Sequence, residues 1–183
     1  MELAAKVVAV SRAAAHGFSK QTQASILLIE GEGVEGDAHR GVRVQHLYQQ
    51  RRDPTQPNLC QVHLFAAEML EELQGAGFDV GAGEIGENVL TSGIDLLTLP
   101  THTRLRIGDE VIVEVTGLRT PCSQIDGYRN GLQAHLWGAR DAAGKRSRRA
   151  GVMAVVIAGG QIFPADRIQA ELPAEPHIPL RPV

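Results

Sequence analysis

The chain has 183 residues, 43% of them hydrophobic and 21% charged, with Lys+Arg 18 against Asp+Glu 21 for a net charge of -3. That length supports one hydrophobic core and excludes a disordered chain. A pI of ≈ 6.2 excludes a dedicated nucleic-acid binder, for which a pI above about 9 is expected, and two cysteines suit a reducing compartment better than a disulfide framework.

The N-terminal stretch is interrupted by Glu2, Lys6 and Arg12, so it lacks the basic start and unbroken apolar run of a signal peptide. The longest apolar run, 150–160, falls short of the roughly 20 residues a membrane span needs. A cytoplasmic protein without membrane contact is expected.

Aliphatic runs at 6–10 and 26–29 predict strands. Residues 42–58 are polar and contain Pro54 and Pro57, which predicts a surface loop. Residues 59–65 alternate, with Cys60, Val62 and Leu64 on one face and Gln61 and His63 on the other, which predicts a half-buried strand. The period then changes. Phe65, Met69, Leu70 and Leu73 predict a helix over 65–74, stopped by Gly75.

An extended segment is expected at 87–91. Two strands at 103–107 and 110–116 are joined by Gly108-Asp109, a turn pair suited to a hairpin. The second is the clearest strand in the chain, with Val111, Val113 and Val115 on one face. A short helix is predicted over 132–139, a strand buried on both faces over 152–157, and a further alternating strand over 167–172. The tail, 173–183, contains four prolines and cannot join a central strand. Many short strands, two or three short helices and no regular βαβ alternation predict a mainly β fold. Its expected form is a mostly antiparallel β-barrel occupying 1–172 as a single domain.

Half of the 20 glycines fall at 31–41 and 75–93, which marks tight turns or backbone close to a ligand. In the first cluster, Gly36-Asp37-Ala38-His39 reads as a turn whose aspartate caps backbone amides. Alternatively, an Asp–His pair orients an imidazole. In the second, Gly86-Glu87-Asn88 leads into a strand, and Asn88 offers a donor and an acceptor to a heterocycle edge. Neither is a GxGxxG fingerprint or a P-loop.

Cys122 follows the strongest strand in Gly117-Leu118-Arg119-Thr120-Pro121-Cys122, where Gly117 and Pro121 break the sheet and place the thiol in a loop or at a helix start. Beside Arg119 its thiolate, the nucleophilic and metal-binding form, is favoured. The competing reading is a small core hydrophobe. Cys60 reads as a packing residue, and no CxxC spacing marks a Cys60–Cys122 redox pair. The run Lys145-Arg146-Ser147-Arg148-Arg149 reads as a solvated loop, with recognition of an anionic group as the alternative. No structural zinc spacing and no nucleophile elbow is present.

In order and spacing, Gly36-Asp37-Ala38-His39, Gly86-Glu87-Asn88 with Gly93-Ile94-Asp95-Leu96, and Pro121-Cys122 resemble the MOSC domain, the C-terminal module of molybdenum-cofactor sulfurases. The resemblance spans roughly residues 20–172, and the short form resembles the bacterial branch that protects against N-hydroxylated base analogues. It implies a β-barrel whose cleft holds Cys122, either carrying sulfur as a persulfide or ligating molybdenum in a bound pterin cofactor. Asp37, His39, Glu87 and Asn88 match motif positions that line the cleft, and Arg119 is added from its closeness to Cys122. Cys60 stands where the family pattern has a basic residue.

Three activities are weighed. The first is molybdenum-cofactor-dependent reduction of N-hydroxylated substrates, and the second is a non-catalytic persulfide carrier. The third is a thiol hydrolase pairing Cys122 with His39 or His135. Partners are expected to be a small-molecule substrate, a sulfur donor or acceptor protein and a redox partner. Pyridoxal phosphate is not expected, because the chain is too short to include the sulfurase domain that binds it.

Overall fold

Alternating valines and glycine turns set the strand pattern in the computed structural model, which describes residues 4–183; Glu2 lies outside them. Strands β1 (Lys6–Arg12), β2 (Gln21–Gln23), β3 (Ile26–Ile29) and β4 (Gly33–Val34) are followed by helix α1 (Leu47–Arg52). Then come β5 (Val62–Ala66), α2 (Ala67–Gly75) and β6 (Val89–Ser92). A 3₁₀ turn at Leu96–Thr98 leads to β7 (Arg104–Ile107), β8 (Val111–Leu118), α3 (Gln124–Tyr128) and α4 (Leu132–His135). The remaining strands are β9 (Trp137–Arg140), β10 (Arg146–Arg148), β11 (Val152–Ala158), β12 (Gly160–Ile162) and β13 (Ile168–Glu171).

The architecture is mainly β, with four short α-helices among the described residues. Eight strands form one sheet in the order β13-β7-β8-β11-β5-β6-β1-β2. Every pairing is antiparallel except β5 with β6, where α2 makes a parallel crossover. Near its margins, β1 meets the segment before β13 at the isolated bridge Lys6↔Arg167. The amide of Val7 donates to Asp166 O at 2.8 Å, and that of Ile168 donates to Ala5 O at 2.8 Å. The two margins therefore touch at one bridge instead of along a continuous ladder, because β2 takes the far half of β1 through Val10↔Gln23 to Arg12↔Gln21.

The clearest predicted strand is β8, and Val111, Val113 and Val115 are all fully buried. They fill an aliphatic core with Val7, Leu64, Leu105 and Val152. A second apolar cluster, built from Phe65, Met69, Leu70 and Leu73 with Ile125, Leu132 and Leu136, lies under the helices.

Several expectations need correction. Residues 59–65 are not a half-buried strand: β5 starts at Val62, and His63 is as enclosed as its neighbours. Phe65 belongs to this strand and not to the helix, because it pairs with Leu90 in the parallel ladder. Strand β11 is buried on one face only, since Met153, Val155 and Ile157 are half-buried. In β13 only Ile168 is buried, and Leu172 is exposed. The predicted helix over 132–139 ends at His135, and β9 begins at Trp137.

The basic run is a strand, not a solvated loop. Its Arg146 donates to the carbonyls of Gly138 and Trp137, and Arg149 pairs with Glu72 at 2.6 Å. The polar segment 42–58 carries helix α1, which buries none of its residues. The proline tail stays outside the named strands, but the amide of Leu118 donates to Arg181 O at 2.8 Å, drawing the tail along β8. Among the described residues no helix is long and apolar enough to cross a membrane.

Candidate functional site

Turns at the ends of β1, β5, β6 and β8 meet helix α1 around a cleft of ≈ 410 Å³, within the range of small-molecule and cofactor sites. Four residues expected at the site line it: His39, Asn88, Arg119 and Cys122. The other two, Asp37 and Glu87, lie beneath the wall.

Asp37 holds the floor together. Its Oδ2 accepts from Lys20 Nζ at 2.7 Å, Asn88 Nδ2 at 3.1 Å and the amide of Ala13 at 3.2 Å. Its Oδ1 accepts from the amide of His39 at 2.9 Å and lies 3.3 Å from that residue's Nδ1. Both readings of this turn therefore meet in one side chain, which caps amides and also touches an imidazole. Burial alone would raise the Asp37 carboxyl, but the bonds from His39 and the charge of Lys20 outweigh it and hold it well below the ordinary carboxylate range. Burial lowers the Lys20 ammonium in turn, with Asp37 opposing.

Asn88 has no free amide group for a heterocycle edge. Its Oδ1 accepts from the amide of His63 at 3.1 Å, and its Nδ2 donates to Ser11 O as well as to Asp37. It acts as a tie between β1, β5 and the Asp37 turn. Glu87 is fully enclosed, with Oε1 accepting from the amide of Gly83 and Oε2 without a hydrogen-bonding partner among the described residues. Burial raises its carboxyl above the usual range.

Gly86 turns the chain over this carboxyl at φ +90, where a Cβ would stand 2.5 Å from Phe18 O. Gly86→Ala is expected to lower stability by about 1–3 kcal/mol through backbone strain. Urea unfolding measures it, and a loss under about 0.5 kcal/mol, the size of an ordinary surface substitution, would show that the loop relaxes freely.

The cleft wall itself is cationic. Lys20, Arg52 and Arg119 line it with His39, His46 and His63, and no aspartate or glutamate is among the lining residues. Arg119 Nη1 donates to Ile85 O at 2.7 Å, and its guanidinium lies 5.8 Å from the centre of the Phe18 ring. Burial lowers its pKa, against the opposing charges of Cys122, Glu87 and Cys60. Burial holds His63 neutral, well below the ordinary histidine range, with Arg119 adding to the effect. The ring lies with Nε2 at 2.7 Å from Ala150 O, so Nε2 carries the proton. Burial, then the charges of His39, His16 and Arg119, also lowers His46.

Cys122 is half-buried, packing on one side against the second apolar cluster while lining the cleft. Its sulfur lies 3.8 Å from Gln124 Oε1. No hydrogen bond joins it to a histidine among the described residues, and His135 packs against Phe78 outside the cleft.

Lining residues that the sequence pattern did not place here include Lys20, His46, Tyr48, Arg52, Cys60 and His63. The spacing of Tyr48 and Arg52 by four, with no apolar stripe, was the available signal for a helix spent on a cleft wall. Cys60 is not a strand-face packing residue. It precedes β5, its amide donates to Asn58 Oδ1 at 3.0 Å, and its side chain lines the cleft. Among the described residues no three His, Cys, Asp or Glu side chains converge to hold a metal ion.

A family model described as the MOSC domain matches residues 51–169. Among solved structures, the chain is similar to the YuaD protein from Bacillus subtilis at 21% identity and a TM-score of 0.73, covering 94% of this chain and 98% of that one. It is also similar to YiiM from Geobacillus stearothermophilus, at 15% identity and a TM-score of 0.64, covering 96% and 79%. YiiM from Escherichia coli gives 16%, 0.59, 94% and 73%. Identities this low carry the fold alone. A comparison with curated protein sequences gives no match.

Proposed function

The chain belongs to the MOSC domain family, and from that premise we propose that its cleft binds molybdenum cofactor through Cys122 and acts on N-hydroxylated substrates in the cytoplasm. One observation carries the reading: a thiol faces a cleft lined by Lys20, Arg52 and Arg119 and by no aspartate or glutamate side chain among the described residues. The donor set fits the group. Soft sulfur suits molybdenum, and guanidinium and ammonium groups suit a phosphate-bearing pterin.

Among the described residues no cluster of three ligands could hold a bare metal ion, so Cys122 would be the chain's ligand to a metal held by the pterin. When bound, such a centre supplies two-electron removal of oxygen from nitrogen, with the electrons coming from a redox partner. The chain's residues bind and orient. Arg119, tied to the 83–88 turn, holds its guanidinium at the wall, and the Asp37–Lys20 pair fixes the floor beneath His39. His63, kept neutral, adds no charge to the cleft wall.

Protein purified from cells with an intact cofactor pathway should contain molybdenum close to one atom per chain by elemental analysis. Wild-type protein at background metal content overturns this reading. The second reading, a sulfur carrier, is favoured by the same exposed sulfur. It predicts that a cysteine desulfurase adds the mass of one sulfur atom to Cys122, and an unchanged intact mass removes it.

A further inference from the structure

We propose that Cys60 is a resolving thiol for Cys122, so that the cleft holds a dithiol that discharges a persulfide as sulfide. The proposal deepens the sulfur-carrying reading and rests on Cys122 being the thiol that receives sulfur. Both cysteines are free, both are half-buried, and both line the one cleft. They come from distant parts of the chain, and the fold joins their supports. Thr116 Oγ1 in β8 donates to Leu59 O at 2.7 Å, anchoring the residue before Cys60 to the strand that leads to Cys122. Arg119 is near enough to both for each sulfur to act on its guanidinium.

The surroundings of Cys60 set its role. Burial pushes the Cys60 thiol up to about 11, with Arg119 opposing. The thiolate is the form that accepts sulfur, so Cys60 waits protonated while Cys122 is loaded. In the step proposed, the sulfur of Cys60 attacks the inner sulfur of the Cys122 persulfide. A Cys60–Cys122 disulfide forms, and the bond to the outer sulfur breaks. The outer sulfur takes the bonding pair and leaves as hydrogen sulfide, carrying the proton of Cys60 with its own. The sulfane sulfur is the oxidant and is reduced to sulfide; the two thiols are oxidised by two electrons. A small dithiol returns the pair to the reduced state by exchange.

The test uses the full chain in two arms. In the first, reduced protein is treated with diamide, denatured, alkylated with iodoacetamide and weighed intact. Wild type should lose the mass of two hydrogens and take no alkyl group, since a disulfide requires the sulfurs to reach about 2.05 Å. Cys60→Ser and Cys122→Ser should each take one alkyl group. Wild type that keeps two alkylatable thiols overturns the proposal.

In the second arm, inorganic polysulfide is the sulfur source. Cys60→Ser should retain one added sulfur on Cys122, whereas wild type should release one equivalent of sulfide per chain and become the disulfide. Equal retention in wild type and Cys60→Ser overturns the discharge while leaving Cys122 a carrier. No added sulfur in either form overturns both. Cys60→Ala, taken through the same arms, separates loss of the thiol from any folding defect of the serine variant.

Discussion

Cys122→Ser is expected to bring molybdenum content and sulfur loading to background, at least a tenfold loss in each, with the fold retained. The substitution keeps the size of the side chain and replaces soft sulfur by hard oxygen. A serine hydroxyl does not form a thiolate, a persulfide or a strong bond to a soft metal centre. The cost to folding is small, because the residue is only half-buried. A destabilisation of about 1 kcal/mol corresponds to roughly 2–4 °C in melting temperature for a chain of this size. Elemental analysis, intact mass and a thermal melt on the same preparation make the comparison. Molybdenum retained at the wild-type level in Cys122→Ser would place the metal on other residues. A melt lowered by more than about 8 °C would show that the sulfur serves the apolar cluster first.

Cys60→Ser provides the contrast. Burial holds it as a thiol, so its replacement should leave molybdenum content unchanged while lengthening the life of sulfur on Cys122. Two cysteines in one cleft are thereby separated by what each loses.

Local signals were the legible ones. The alternation of Val111, Val113 and Val115 depends only on a period of two, and the Gly108-Asp109 turn fixes its hairpin without distant help. The ordered motifs at 36–39, 86–88 and 121–122 located part of the cleft, through His39, Gly86, Asn88 and Cys122, because glycines needed for tight turns stay visible in a single chain. What failed depended on contacts made across the fold. Extending the Val62–Leu64 alternation back to Cys60 assumed a strand, whereas the Asn58 side chain captures the Cys60 amide and turns the thiol into the cleft. Helix α1 has no apolar face, since its residues wall a cleft and bury nothing. The strand after His135 exists because Arg146, a residue of the strand it pairs with, bonds the carbonyls of Trp137 and Gly138, a partnership that no local pattern in 132–139 announces. Glu87 and Asn88 occupied motif positions that suggested ligand contact, and the structure spends one in burial and the other on backbone ties.

Asp37→Asn is expected to cost about 3–5 kcal/mol at neutral pH, the size associated with leaving a buried charge without its partner. The side chains of Asp37 and Lys20 are 1% and 5% exposed, so solvent cannot replace the lost carboxylate. The asparagine keeps the shape but has one accepting oxygen. If that oxygen serves His39, the amide nitrogen faces the three donors of Ala13, Lys20 and Asn88, and those bonds are lost with the charge. The pH dependence follows from the direction of each shift. Asp37 has a folded pKa below its unfolded value near ~3.9, so the stability it contributes is complete above that value and is lost as pH falls toward the folded one. The gap between wild type and Asp37→Asn should therefore be full at pH 7 and narrow in acid. Lys20 behaves in the opposite limb. Its folded pKa is lowered, so the unfolded chain binds the extra proton and stability rises with pH toward the unfolded lysine value of about 10.4. Without Asp37 the ammonium is less favoured still, and this alkaline rise should steepen in the variant. Urea unfolding from pH 3 to pH 10 reads both limbs. A variant within about 1 kcal/mol of wild type at pH 7, with parallel pH profiles, would mean that Lys20 reaches solvent in the absence of its partner. The floor under His39 and Asn88 would then owe its rigidity to the backbone turns alone.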